Sequence, residues 1–176
     1  MASWVKSSYR SGRGAELTVS YSAVYDPNTN CTVVELNSYT VRWNTGGANG
    51  YCEFAGTLSL SRGDGANLIN NTLWQSKNGV NPSVTYTLGQ RFSIAHDFTS
   101  SKDIRLGVVT TSIKAANYIP DNLNVSERIH IADHQHSVVY IDSGAAFERY
   151  ACYIDDGAQW QLHEAMADNG TAWENY

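Results

Sequence analysis

Glu16-Leu17-Thr18-Val19-Ser20-Tyr21 alternates polar and apolar residues position by position. A two-residue period places Leu17, Val19 and Tyr21 on one side of an extended chain and the polar residues on the other. Comparable short segments return at Thr32-Val33-Val34-Glu35-Leu36, Tyr39-Thr40-Val41-Arg42-Trp43, Phe54-Ala55-Gly56-Thr57-Leu58-Ser59-Leu60, Val84-Thr85-Tyr86-Thr87-Leu88, Arg91-Phe92-Ser93-Ile94-Ala95-His96 and Ile104-Arg105-Leu106-Gly107-Val108-Val109. Between them lie residues that close turns: Asp26-Pro27-Asn28, Thr45-Gly46-Gly47, Gly63-Asp64-Gly65, Asn78-Gly79 and Pro120-Asp121.

Seven or so short strands in about 110 residues is what an immunoglobulin-like antiparallel sandwich requires. A jelly roll fits the same strand count, because strand order within a sheet is not written in the periodicity. The expected inner faces carry Leu17, Val19, Tyr21, Val41, Trp43, Leu58, Leu60, Phe92, Ile94, Leu106 and Val108.

Composition agrees with an all-β chain. Of 176 residues 42% are apolar and only 16% charged, so the polarity comes from Asn, Ser, Thr and Gly, which favour strands and turns over helices. The net charge of -5, with no cluster of Lys and Arg, offers nothing to a phosphate backbone, so nucleic acid is not an expected partner. No apolar run is long enough to span a bilayer as a helix, and Met1-Ala2-Ser3-Trp4-Val5-Lys6 lacks the charged and apolar regions of a secretion signal. The expectation is neither a membrane span nor export. Three cysteines, Cys31, Cys52 and Cys152, do not make a secreted disulfide framework. Free thiols are expected, and a Cys31–Cys52 bridge stays open if their strands are neighbours.

The C-terminus repeats itself every 13 residues, as Val138–Tyr150, Ala151–His163 and Glu164–Tyr176. Asp142, Asp155 and Asp168 fall in register, as do Gly144, Gly157 and Gly170, and Phe147, Trp160 and Trp173. Each unit reads as a β-hairpin turning at Ser143-Gly144, Asp156-Gly157 or Asn169-Gly170, since these residues tolerate positive φ. A lone two-stranded hairpin is marginal in water, so the units are expected to stack on each other, on the sandwich or on a partner. The organisation read from sequence is therefore an N-terminal arm (1–16), a sandwich (17–129), a histidine-containing connector (130–137) and three aromatic hairpins (138–176).

No nucleophile elbow, phosphate-binding loop or zinc-protease helix motif is present, and the chain reads as a non-enzyme. A small hydrolase would need paired carboxylates. Asp142, Asp155 and Glu35 are available, but the aspartates already have turn roles. His130, His134 and His136 with Asp133 form the densest set of metal-capable residues. Their spacing matches no single-chain zinc pattern and reads first as a polar connector. In a strand His134 and His136 share a face, so only a homotrimer would gather six imidazoles around one axial metal ion. Otherwise no cofactor is expected. Arg62-Gly63-Asp64 spells an integrin-type tripeptide inside ordinary turn residues and is read as a turn.

The candidate ligand-binding residues are aromatic: Phe147, Trp160 and Trp173, with Tyr140, Tyr150, Tyr153 and Tyr176. Such rings either stack on sugars, bury against a partner chain, or form the hairpins' own small cores.

The repeat frame Tyr-Ile-Asp-x-Gly-x-x-Phe/Trp-x-x-Tyr resembles the C-terminal repeats of minor structural and tail proteins from phages of Gram-positive gut bacteria, over about forty residues. The third unit departs from it, with Met166-Ala167 in place of Tyr-Ile. Upstream, Leu17–Ser22 followed by Tyr25-Asp26-Pro27, and Ser93-Ile94-Ala95-His96-Asp97, are similar to immunoglobulin-like modules of siphophage tail proteins. The resemblance implies a virion component folded in the bacterial host cytoplasm, placed on tail or fibre. Its expected partners are other virion proteins and host cell-surface glycans. The alternative is a free carbohydrate-binding module of a bacterial surface or secreted system.

Overall fold

The computed structural model describes residues 1–26, 29, 31–62, 65–96 and 102–131, and beyond them the backbone of strand segments within 138–175. Eight strands build the first part: β1 (Ala2–Arg10), β2 (Arg13–Asp26), β3 (Cys31–Asn44), β4 (Gly50–Arg62), β5 (Asn67–Gly79), β6 (Ser83–Ala95), β7 (Lys102–Ala115) and β8 (Asn124–Ile131). They form two four-stranded sheets, in the orders β1-β2-β3-β6 and β5-β4-β7-β8. Every recorded pairing is antiparallel. The chain changes sheet after β3, after β5 and after β6. With β1 set aside, this order places strands as an immunoglobulin-like sandwich places A, B and E opposite C′, C, F and G.

The core lies between the sheets. Leu17, Val19, Val41, Trp43, Leu58, Leu60, Ile94, Leu106 and Val108 are buried there as their alternation predicts, and Tyr21 and Phe92 pack against it half-buried. Val34, Leu36, Phe54, Leu73, Ile104 and Ile113 complete it. Trp43, the largest fully buried side chain among the described residues, donates its indole N–H to the Glu53 carbonyl at 3.2 Å, which satisfies its one polar atom.

Residues 1–16 are not an arm. Ala2–Arg10 pairs along its whole length with β2, and Trp4 belongs to the core. Its indole donates to Glu127 Oε2 at 2.9 Å, Lys6 also pairs with Glu127, and Ser8 donates to the Asp121 carbonyl. These bonds close the sandwich along the β1–β8 side. Alternation did not announce this strand because its inward positions are Trp4, Lys6 and Ser8, of which one alone is apolar.

Two apparent breaks are bulges. Thr32–Leu36 and Tyr39–Trp43 are halves of β3, and Val84–Leu88 and Arg91–Ala95 are halves of β6. Leu36 pairs with Gln90 and Ser38 with Thr87, so Asn37 on one strand and Leu88-Gly89 on the other bulge out together. Gly89 supplies the left-handed backbone this needs, at φ 60°. Asn37 Nδ2 is buried without a partner among the described residues.

Cys31 and Cys52 are free. Cys31 opens β3 and Cys52 lies near the start of β4, on the other sheet. A connection at the far end of β3 joins the two strands, which sets the thiols about 40 Å apart along the strand direction at ~3.3 Å per residue. Cys152 lies outside the described residues.

Candidate functional site

β5 and β6 are edge strands of opposite sheets, and a groove of about 330 Å³ runs along the seam between them. It is lined by Tyr39, Asn71, Thr72, Trp74, Gln75, Tyr86, Thr87, Leu88 and Gln90. Register explains the lining. Asn71 pairs with Leu58 and Gln75 with Phe54, so both amides occupy the inward face of β5 at its outer margin, while Trp74, opposite Ala55, lies on the outward face. Tyr86 is the register partner of Tyr39, and their rings lie 5.4 Å apart at 34°.

The polar groups of the groove are arranged in pairs across the seam. Asn71 Nδ2 donates to Gln90 Oε1 at 2.6 Å and Gln90 Nε2 donates back to Asn71 Oδ1 at 3.3 Å. Gln75 Nε2 donates to the Tyr39 hydroxyl at 2.7 Å. Burial pushes the Tyr39 phenol above its usual range, against the opposing effect of the Gln75 bond, so Tyr39 is a neutral hydroxyl at physiological pH. Trp74 is 61% exposed and Tyr86 53% exposed. Two large rings therefore stand in solvent beside three carboxamides.

A second concavity, of about 300 Å³, lies on the outer face of the other sheet and is lined by Ser22, Val24, Asp26, Val33, Glu35 and Arg91. Glu35 is register partner to both Ser22 and Arg91. Glu35, available to a carboxylate pair by sequence, thus lies beside a cation. On the second sheet Glu53 accepts from Ser112 Oγ at 2.5 Å and from the Tyr51 hydroxyl at 2.9 Å, with Lys114 at 3.4 Å.

The three repeats do form hairpins. β9 (Val138–Asp142) pairs with β10 (Phe147–Ala151), β11 (Tyr153–Asp155) with β12 (Trp160–Leu162), and β13 (Met166–Asp168) with β14 (Trp173–Asn175). Asp142 faces Phe147, Asp155 faces Trp160 and Asp168 faces Trp173 across the ladders. Tyr140 and Tyr153 share register parity with the aspartate and aromatic of their units. Tyr150 pairs with Val139 and has the opposite register parity to Phe147. The connections containing Ser143-Gly144, Asp156-Gly157 and Asn169-Gly170 lie outside the described residues, as do Tyr176, His134 and His136. His130 is described: it belongs to β8 rather than a connector, and its Nδ1 is 3.1 Å from Asp103 Oδ1. Arg62 ends β4 and its carbonyl accepts from Gly65 N–H at 2.9 Å, while Gly63 and Asp64 of the integrin-like tripeptide lie outside the described residues.

The sequence reading missed Trp74 and its neighbours. The available signal was a single tryptophan within the polar run Asn70-Asn71-Thr72-Leu73-Trp74-Gln75-Ser76, where an aromatic ring has little apolar company to bury against. Neither a scan of protein-family models nor a search of curated proteins returns a match to the chain.

Proposed function

We propose that the chain is a non-enzymatic phage virion component, of tail or fibre, that attaches to host cell-surface glycans through its sandwich and is carried among other virion proteins. The observation that carries the glycan part is the exposure of Trp74 and Tyr86 beside the carboxamides of Asn71, Gln75 and Gln90. An aromatic ring left in water offers a flat apolar face, and carboxamides offer both donors and acceptors. Sugar rings present the complement, an apolar face edged by hydroxyls. The virion part rests on the resemblance of the C-terminal repeats, whose shared hairpin register supports reading them as equivalent units. A free carbohydrate-binding module would use the same groove.

The test is retention of the purified chain on Gram-positive cell walls and on polysaccharide extracted from them. Replacing Trp74 and Tyr86 together with alanine is expected to abolish retention without changing the unfolding transition, since both side chains are largely exposed. Failure of the unaltered chain to bind any wall or glycan preparation would show the attachment reading to be wrong.

A further inference from the structure

Resting on that glycan reading, we infer that the β5–β6 groove takes an uncharged sugar, its ring stacked on Trp74 and Tyr86 and its hydroxyls bonded by the Asn71, Gln75 and Gln90 carboxamides. Among the described residues the lining contains no carboxylate, ammonium or guanidinium: its polar groups are amides, threonine hydroxyls, two phenols and the Trp74 indole N–H. An anionic ligand, such as a uronic-acid polymer or a polyol phosphate, would lose hydration there with no cation in the lining to replace it. The other concavity has the reverse chemistry, with Arg91 beside Asp26 and Glu35.

Counting donors and acceptors gives the groove its capacity. Each carboxamide has two N–H donors and an oxygen with two lone pairs. The reciprocal Asn71–Gln90 bonds use one N–H and one lone pair of each, leaving each an N–H and a lone pair for a ligand. Gln75 gives one N–H to Tyr39, which leaves its oxygen and second N–H. A sugar hydroxyl donates once and accepts, so neighbouring hydroxyls on one ring meet this mixed set without either partner ionising. The seam bonds also fix the amides before a ligand arrives, which lowers the entropy lost on binding.

Tryptophan fluorescence and amide chemical shifts of the full chain, titrated with neutral hexose and N-acetylhexosamine oligosaccharides and separately with polyuronate and polyglycerol phosphate, decide the matter. At least one neutral oligosaccharide is expected to bind with an affinity unchanged between low and high salt, because no charge is screened. Trp74→Ala is expected to weaken that binding about tenfold or more, with Trp74→Phe recovering part of it, as loss of 1.4 kcal/mol or more implies. Near-ultraviolet circular dichroism of each variant checks that the fold is kept.

Binding confined to the anionic polymers and weakening steeply with salt overturns the inference, and its loss on Arg91→Ala would place the ligand in the other concavity. Neutral binding that survives loss of both Trp74 and Tyr86 overturns it as well. Either result leaves attachment to glycans standing, whereas binding to neither class overturns both readings.

Discussion

Asn71 and Gln90 exchange side-chain amide bonds across the seam between the two sheets, 2.6 Å in one direction and 3.3 Å in the other. β5 and β6 share no backbone ladder, so this pair does for their edges what a ladder does within a sheet. Replacing either residue with alanine leaves the other amide half-buried without its partner. Each replacement is expected to cost about 1 kcal/mol, and the double replacement less than the sum, as urea unfolding of the four proteins in a double-mutant cycle would measure.

Trp4 anchors β1 in the core and holds Glu127 of β8 through its indole. Trp4→Ala is expected to lower stability by about 3 to 5 kcal/mol, the usual cost of removing a buried large aromatic. Trp74→Ala, at a ring mostly in solvent, is expected to cost far less. Thermal unfolding of the two variants side by side separates an N-terminal strand from an arm, because truncating an arm residue would leave the midpoint unchanged.

The strands that alternation reveals are those whose inward positions are all apolar, such as Leu17 and Val19 on β2 or Leu58 and Leu60 on β4. β5 was hidden because its inward positions include Asn71, Gln75 and Lys77, and β8 because Glu127 interrupts Val125 and Ile129. These polar residues belong to edge strands, where the inner face reaches the margin of the core and meets water or a seam partner. The groove is built from those same exceptions. Its members come from β3, β5 and β6, brought together by two changes of sheet, so no local window of sequence contains the site. The hairpins were legible because their register is local: one aspartate and one aromatic in each 13-residue unit define the pair that closes it.

Gly56 lies where β4 meets a bulge in β7. A Cβ there would overlap the Val109 carbonyl oxygen and lie 2.7 Å from the Thr110 Cα, both of them backbone. Neither neighbour is a flexible side chain that can swing aside. Gly56→Ala is expected to destabilise the sandwich by about 1 to 3 kcal/mol, as overpacking does, despite the better intrinsic strand preference of alanine. A rise in the denaturation midpoint would contradict this account of the β4–β7 contact.

Glu53 predicts a limb of acid sensitivity. Hydrogen bonds from Ser112 and then Tyr51 hold its carboxyl below the usual range, with Lys114 assisting against the cost of burial. Because the folded value lies below the unfolded one, near 4.3, the unfolded chain binds more protons in that window and stability rises with pH there. The contribution is complete above the unfolded value and disappears as pH falls through the folded one. Glu53→Gln should therefore lose less stability than the parent on acidification through this window. Urea midpoints measured across it for both proteins provide the comparison, and parallel curves would remove Glu53 from the account.

The hairpins follow a different logic from the groove. Asp142–Phe147, Asp155–Trp160 and Asp168–Trp173 are equivalent register pairs, so whatever one unit presents, the next presents at the same point of its ladder. Hairpins with strands of three to five residues stabilise themselves poorly, and among the described residues the core of the sandwich runs to Ile131. Such short hairpins have much to gain from packing on a partner. Replacing Trp160 and Trp173 with alanine is expected to leave the sandwich's cooperative unfolding within about 0.5 kcal/mol of the parent, the range for substitutions outside a core. On the proposed virion reading, the same change should reduce association of the full chain with other virion proteins, measured by co-sedimentation. A loss of several kcal/mol instead, of the size seen when large core side chains are truncated, would mean that these rings pack within the molecule, and the partner role of the repeats would have to be given up.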